Sequence, residues 1–128
     1  MARCGSPAAA SGEPLEIQFE AHRVFDQLYP VPILTTLGSQ VTIDGEYGIG
    51  YPCFTFEGDV RLLNGVITLE VVAKGTSTNC QAIVSLFRYH VTLAPLPPAT
   101  YGLRLWHVNG TLRHLVASWS VTVPQATQ

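Results

Sequence analysis

Three carboxylates on one predicted hairpin have the residue type and spacing for cation binding. The dipeptide Asn64-Gly65 is typical of a type I′ turn, because both of its positions adopt positive φ. This turn places Asp59 directly opposite Glu70, with Glu57 two residues away on the same outward face. Carboxylate oxygens at this spacing, together with backbone carbonyls and water, are ligands for Ca²⁺. The alternative is an ordinary salt bridge, in which Arg61 on the same face relieves the two opposed negative charges.

A second candidate binding surface lies on the last predicted hairpin. An Asn109-Gly110 turn would place Trp106 opposite Arg113, with Arg104 on the same outward face. An indole flanked by guanidinium groups can stack on a sugar ring or on the side chain of a partner. The alternative is a cation–π pair that covers the indole on an ordinary sheet surface.

The histidines could serve as metal ligands or as a general base. His90 falls on an earlier predicted strand, and His107 and His114 fall on the last predicted hairpin, with His114 opposite Leu105. A two-histidine site there is the alternative to hydrogen-bonded or solvent-facing imidazoles. A copper site of the cupredoxin type needs an axial ligand such as Met, and the single methionine is Met1. The chain contains no Gly-x-Ser-x-Gly motif. We therefore expect a non-enzymatic protein without a cofactor.

Two of the three cysteines are brought together by the Asn64-Gly65 hairpin. Extending its pairing places Cys53 opposite Thr76, and Cys80 follows four residues later. A Cys53–Cys80 disulfide would close the open end of the hairpin and contribute about 3–4 kcal/mol in the chain-entropy model. Such a bond places the protein outside the cytosol. The alternative is a pair of buried free thiols.

The N-terminal residues have the composition of a flexible tether. Cys4 is followed by a run of small residues, Gly5-Ser6-Pro7-Ala8-Ala9-Ala10-Ser11-Gly12. This run resembles the mature N-terminus of a bacterial lipoprotein. The resemblance implies a lipid on Cys4 and a linker that holds the domain away from a membrane. The alternative is a disordered tail.

The composition excludes some classes of partner. Hydrophobic residues make up 47% of the chain and charged residues 12%, against roughly 25% charged in soluble domains. The net charge is −2 and the basic residues do not cluster, so we expect no nucleic-acid partner. No apolar run approaches the ~20 residues that a membrane helix needs.

Alternation of apolar and polar residues predicts strands along most of the chain. Residues 22–38, punctuated by prolines, are predicted to be an irregular edge segment. A strand facing inward is predicted from Ile83 to Leu93, and the last strand is expected to carry a bulge between Val116 and Trp119. The glycines and proline at Gly45, Gly48, Gly50 and Pro52 are predicted to form a connection.

The segment Leu96-Pro97-Pro98-Ala99-Thr100-Tyr101 joins two of these strands. It resembles the tyrosine corner of immunoglobulin and fibronectin type III domains. The resemblance implies a single immunoglobulin-like Greek-key β-sandwich of about seven antiparallel strands. It also implies that the Tyr101 hydroxyl bonds to nearby backbone, and that the strands before and after the corner lie in opposite sheets.

The predicted organisation is a tether at residues 1–13, a sandwich at 14–124 and a tail at 125–128. We expect a binding or structural module of the cell envelope or secreted fraction, with a surface protein or glycan as its partner. One alternative is a small carbohydrate- or Ca²⁺-binding module. The other is a subunit that assembles with itself through edge strands, motivated by the proline-containing segment Tyr29-Pro32 and the low surface charge.

Overall fold

The computed structural model describes residues 12–50, 52–76, 80–81 and 83–125. These residues form nine strands: β1 (Glu13–Pro14), β2 (Ile17–Val24), β3 (Ile33–Leu37), β4 (Gln40–Ile49), β5 (Phe54–Leu63), β6 (Val66–Gly75), β7 (Ser85–Leu93), β8 (Ala99–Asn109) and β9 (Leu112–Val123). One sheet has the order β1-β5-β6-β8-β9 and the other has the order β2-β7-β4-β3. The fold is an all-β sandwich, as predicted.

The strand count and one pairing differ from the prediction. The described residues form nine strands instead of the seven expected, because the short strands β1 and β3 were not predicted. β3 lies within the segment that was predicted to be irregular. All neighbouring strands pair antiparallel except β6 and β8, which pair parallel. This follows from the chain path, because the chain leaves β6 for the opposite sheet at β7 and returns at β8 in the original direction.

The core lies between the two sheets and is filled by the inward-facing side chains of six strands. Its fully or almost fully buried members include Val41, Ile43, Val60, Ile67, Leu69, Val71, Tyr89, Val91, Leu93, Leu103, Leu105 and Val121. The inward phase predicted for β7 is correct from Ser85 onward. Ile83 and Val84 precede the strand and are exposed, so the predicted start of this strand was two residues early.

The β5–β6 hairpin has the predicted register. Asp59 is paired with Glu70, and the turn residues Asn64 and Gly65 have φ of 53° and 78°. The Cys53–Cys80 disulfide closes its open end, with Cα atoms 6.0 Å apart. Beside it, the Thr76 amide donates to the Cys53 carbonyl at 3.0 Å.

The β8–β9 hairpin differs from the prediction because its turn lies one residue later. Asn109 is paired with Leu112, so Gly110-Thr111 forms the turn, and Gly110 takes the positive φ of 61°. The predicted pairs Trp106 with Arg113 and His114 with Leu105 are therefore wrong. Trp106 is opposite Leu115 and His107 is opposite His114.

The bulge in β9 lies close to the predicted interval. Leu105 is paired with Ala117 and Trp106 with Leu115. Val116 is therefore the extra residue, at the edge of the interval rather than within it. The bulge returns the later residues Val121 and Val123 to the core side of the sheet, where both are buried.

The predicted connection begins too early, because β4 continues to Ile49 and includes Gly45 and Gly48. Gly50 and Pro52 lie between β4 and β5, as predicted. Gly45 belongs to the strand and lies opposite Tyr89. A Cβ atom at Gly45 would come within 2.6 Å of Cζ of Tyr89, so the glycine makes room for the ring. Because the strand continues, Glu46 faces outward and Tyr47 faces the core.

The tyrosine corner has the expected contact. The Tyr101 hydroxyl donates to the Pro97 carbonyl oxygen at 2.6 Å, and Tyr101 is buried. The strands on either side of the corner, β7 and β8, lie in opposite sheets.

The predicted tether lies mostly outside the described residues, and so does Cys4. The first described strand, β1, begins at Glu13, which pairs with Leu62. Among the described residues, no helix has the length and apolar character needed to cross a membrane.

Candidate functional site

A cross-strand ion pair lies on the outer face of the four-stranded sheet. Glu46 on β4 and Arg88 on β7 are directly opposed. Nε and Nη2 of Arg88 donate to Oε2 of Glu46 at 2.9 and 2.6 Å. The Glu46 side chain is only 2% exposed and that of Arg88 is 19% exposed. Charge-assisted bonds of this kind are strong, because little water competes with them.

The chain segment that covers this ion pair is residues 25–32, between β2 and β3, which we call the anchored loop. The Leu28 amide donates to Oε2 of Glu46 at 3.1 Å. Nη2 of Arg88 donates to the Asp26 carbonyl oxygen at 2.9 Å, and the Arg88 guanidinium lies 5.4 Å from the centroid of the Tyr29 ring. Both members of the ion pair therefore hold the backbone of the loop against the sheet.

The Glu46 carboxylate is kept ionised by these contacts. Burial alone would raise its pKa, because it removes the charge from water. Donation by the Leu28 amide and by Arg88, with a smaller effect from the Tyr29 backbone, outweighs burial and lowers the pKa of Glu46 below its ordinary value. The loop is thus attached to a permanent charge at neutral pH.

The anchored loop displays three exposed apolar side chains, alongside the exposed Asp26 and Gln27. Phe25, Leu28 and Val31 are 84%, 58% and 66% exposed. The loop also contains Pro30 and Pro32, whose fixed φ restricts the backbone. These three apolar side chains face solvent on a loop whose backbone is held by Glu46 and Arg88. Exposed apolar side chains within one short segment are a feature of interaction surfaces.

A second group of polar side chains joins the two sheets inside the sandwich. A hydrogen bond of 2.8 Å links the Tyr89 hydroxyl to Nε2 of His107. The Tyr47 ring stacks on the His107 ring with centroids 4.1 Å apart and planes 6° apart. Burial, with a smaller effect from His114, lowers the pKa of His107 to about 4. His107 is therefore a neutral, hydrogen-bonded imidazole of the interior.

The predicted cation site has its carboxylates each paired with a different cationic side chain. Lys74 lies 3.4 Å from Glu57, Arg61 lies 3.4 Å from Asp59, and Arg113 donates to Glu70 at 2.8 Å. Glu70 is 6% exposed, so it is a buried carboxylate, and its partner is Arg113 rather than Arg61. Among the described residues, no group of three or more His, Cys, Asp or Glu is placed to hold a metal ion. Ca²⁺ binding at this face stays a prediction.

The predicted ligand-binding face around Trp106 is partly covered. The Arg113 guanidinium carbon lies 3.7 Å from the centroid of the Trp106 ring, while Nε of Arg113 donates to Glu70. Arg113 therefore reaches the indole from a diagonal position. Arg104 is exposed on the same face. This is the geometry of the cation–π alternative, and sugar binding at Arg104, Trp106 and Arg113 stays a prediction.

The exposed His90 forms hydrogen bonds through both of its ring nitrogens. Its Nδ1 lies 2.6 Å from Oδ1 of Asp44, and its Nε2 lies 3.3 Å from Oγ1 of Thr92. These groups lie on the same outer sheet face as Glu46 and Arg88.

The anchored loop is not evident from the sequence pattern when β4 is ended before Glu46. Glu46 then lies in a connection, and the outward-facing Arg88 has no predicted partner. The usable signal was the continued alternation of Asp44 and Glu46 with Ile43, Gly45 and Tyr47.

No family model, no curated protein and no solved structure matches this chain. The fold class and the side-chain geometry therefore carry the functional argument. β-Sandwiches host many functions, so the particular surface indicates function better than the fold does.

Proposed function

We propose that this protein is a non-enzymatic binding module that engages a partner protein through the anchored loop. The single observation that carries the proposal is the attachment of an exposed apolar loop to a buried ion pair. Phe25, Leu28 and Val31 face solvent, while the Leu28 amide is held by Glu46. Removing such side chains from water is the main driving force of protein association.

Attachment of the loop favours binding over a purely structural role. A free loop loses conformational entropy when it docks, whereas a loop already held in place loses less. The ion pair beneath it is desolvated, and such pairs are a weak source of stability by themselves. Their positioning role, which fixes the backbone at Asp26 and Leu28, supports the proposal.

The chemistry of the surface indicates the class of partner. Two aliphatic side chains and one aromatic ring, whose centroid lies 5.0 Å from the guanidinium carbon of Arg23, complement an apolar patch on another protein. A glycan would need a flat ring with polar groups around it, and the Trp106 face that offers these has Arg113 lying over the indole. We therefore place a protein partner first and a glycan second.

The proposed location is the secreted fraction or the cell envelope. The Cys53–Cys80 disulfide is typical of an oxidising compartment. The tyrosine-corner contact and the two packed sheets support an immunoglobulin-like module of the kind common outside the cytosol. A lipid on Cys4 would add a membrane anchor, and this residue lies outside the described part of the chain.

The proposal is tested by comparing which proteins three immobilised forms retain from the envelope and secreted fractions of the source cells. The forms are the natural chain, a Phe25→Ser/Leu28→Ser/Val31→Ser variant, and a control with Leu37→Ser/Leu63→Ser. The control removes exposed apolar side chains elsewhere on the sandwich. Circular dichroism first establishes that all three fold alike.

We expect at least one protein that the natural chain and the control retain and that the loop variant loses. The proposal is overturned if every retained protein binds the loop variant as well as it binds the natural chain, or if nothing is retained.

A further inference from the structure

We propose that strand β9 is a pairing surface for a second copy of this chain. The two copies would join their five-stranded sheets by antiparallel β9–β9 pairing about a two-fold axis at Ser120. β9 lies at the edge of its sheet, and the described residues place no strand on its outer side. This surface is separate from the anchored loop, so the inference does not depend on the proposed function.

The other three edge strands carry features that protect against pairing. β1 has only two residues and ends in Pro14. β3 has five residues and follows Pro30 and Pro32, so the proline-containing segment protects this edge rather than favouring its pairing. β2 carries Glu20 and Arg23 among its residues. Short length, proline and charge are the usual means by which natural sheets prevent edge-to-edge association.

β9 has none of these features over most of its length. From Leu115 to Val123 the chain contains no charged residue, no glycine and no proline. The bulge at Val116 and the proline at position 124 set the ends of the regular stretch, Ala117 to Val123. Its free backbone N–H and C=O groups can form hydrogen bonds with another strand.

The regular stretch is complementary to itself. With Ser120 on the two-fold axis, Trp119 of one copy lies opposite Val121 of the other, and Ser118 lies opposite Thr122. Side chains on the core side therefore meet side chains on the core side, and hydroxyls meet hydroxyls. Trp119 is half-buried in the single chain, so this pairing removes more of its apolar surface from water. The matching of apolar with apolar and of hydroxyl with hydroxyl positions, with no like charges opposed, is what favours a second copy.

The experiment is sedimentation velocity of the whole chain over a wide concentration range, with Ser120→Lys as the test variant. Ser120 is exposed, so the variant keeps the fold, and the two lysines would lie directly opposite each other. We expect a monomer–dimer equilibrium for the natural chain and a dissociation constant at least about tenfold higher for Ser120→Lys. Gln18→Lys, on the edge strand of the other sheet, is the matched control and leaves the equilibrium unchanged.

Mixing Ser120→Lys with Ser120→Glu tests whether opposite charges at this position restore the association. Opposite charges then face each other, and we expect a heterodimer where neither variant dimerises alone. Non-reducing gel electrophoresis separates this association from a covalent dimer through Cys4. The proposal is overturned if the natural chain stays monomeric up to about 1 mM, if Ser120→Lys dimerises as well as the natural chain, or if the dimer is covalent only.

Discussion

Oε2 of Glu46 accepts hydrogen bonds from Nη2 of Arg88 at 2.6 Å and from the Leu28 amide at 3.1 Å. One carboxylate oxygen thus joins β4 to β7 and joins the anchored loop to both. The sheet and the proposed binding surface therefore share one hydrogen-bond acceptor. A substitution of Glu46 alters the ion pair between β4 and β7 and the contact with the loop at the same time.

Replacing Glu46 by Gln tests the strength of this link. The substitution keeps the side-chain shape but leaves the mostly buried Arg88 without a counter-charge. We expect the free energy of unfolding to fall by about 2–4 kcal/mol, measured by denaturant titration. Glu57→Gln, which removes an exposed carboxylate beside Lys74, is the control and costs less than about 1 kcal/mol. Equal effects of the two substitutions would contradict the account.

The half-buried His107 predicts a pH dependence of stability. Its pKa is lowered from 6.5 to about 4 by burial, with a smaller effect from His114. The unfolded chain therefore binds a proton in this window that the folded chain does not. Stability is fully present above pH 6.5 and falls as the pH drops toward 4, by at most about 1.4 kcal/mol per pH unit.

Denaturant titrations between pH 4 and 7 measure this slope. We expect His107→Phe, which removes the titrating group, to flatten it, and the exposed His22→Gln to leave it unchanged. A slope that survives in His107→Phe would mean that another group is responsible.

The close approach of Tyr89 to Gly45 predicts an unequal effect of two matched substitutions. A Cβ at Gly45 collides with the Tyr89 ring, whereas no atom lies within 4 Å of a Cβ at Gly48 in the same strand. We expect Gly45→Ala to destabilise the protein by about 1–3 kcal/mol, because the core must shift to admit the methyl group. Gly48→Ala should be neutral or slightly stabilising. Thermal unfolding of both variants gives the comparison, and a neutral Gly45→Ala would be inconsistent with the structure.

The disulfide predicts both a thiol count and a loss of stability. The Cys53→Ser/Cys80→Ser variant should lose about 3 kcal/mol of unfolding free energy, since the bond closes a chain segment with a sequence separation of 27. Intact-mass analysis after alkylation of the denatured, unreduced protein should find Cys4 as the remaining thiol or carrying a lipid. Three free thiols would remove the argument for an oxidising compartment.

The features that the sequence predicts well are those set by local chemistry. Asn64-Gly65 fixes one turn type, and the alternation on either side permits one register. The disulfide follows from that register. The Tyr101 contact with Pro97 is likewise local, because the two residues are four apart.

The features that the sequence does not predict depend on residues far apart in the chain. Glycine has a low β-propensity, which argues against a strand at Gly45. It lies in a strand because the Tyr89 ring occupies the space of a side chain there, and local propensity does not include this distant neighbour. Arg113 reaches Glu70 across 43 positions, and the one-residue shift of the β8–β9 turn moved every predicted partner on that hairpin. The anchored loop was missed for the same reason, since Glu46 and Arg88 meet only once β4 is extended.

The proposed function requires that the sandwich hold the anchored loop as a preformed surface. Amide hydrogen exchange at Leu28, measured by NMR in the natural chain and in Glu46→Gln, shows whether it does. We expect exchange at least about tenfold slower than in an unstructured peptide for the natural chain, and loss of that protection in the variant. Exchange at the unstructured rate in the natural chain would contradict the proposed function.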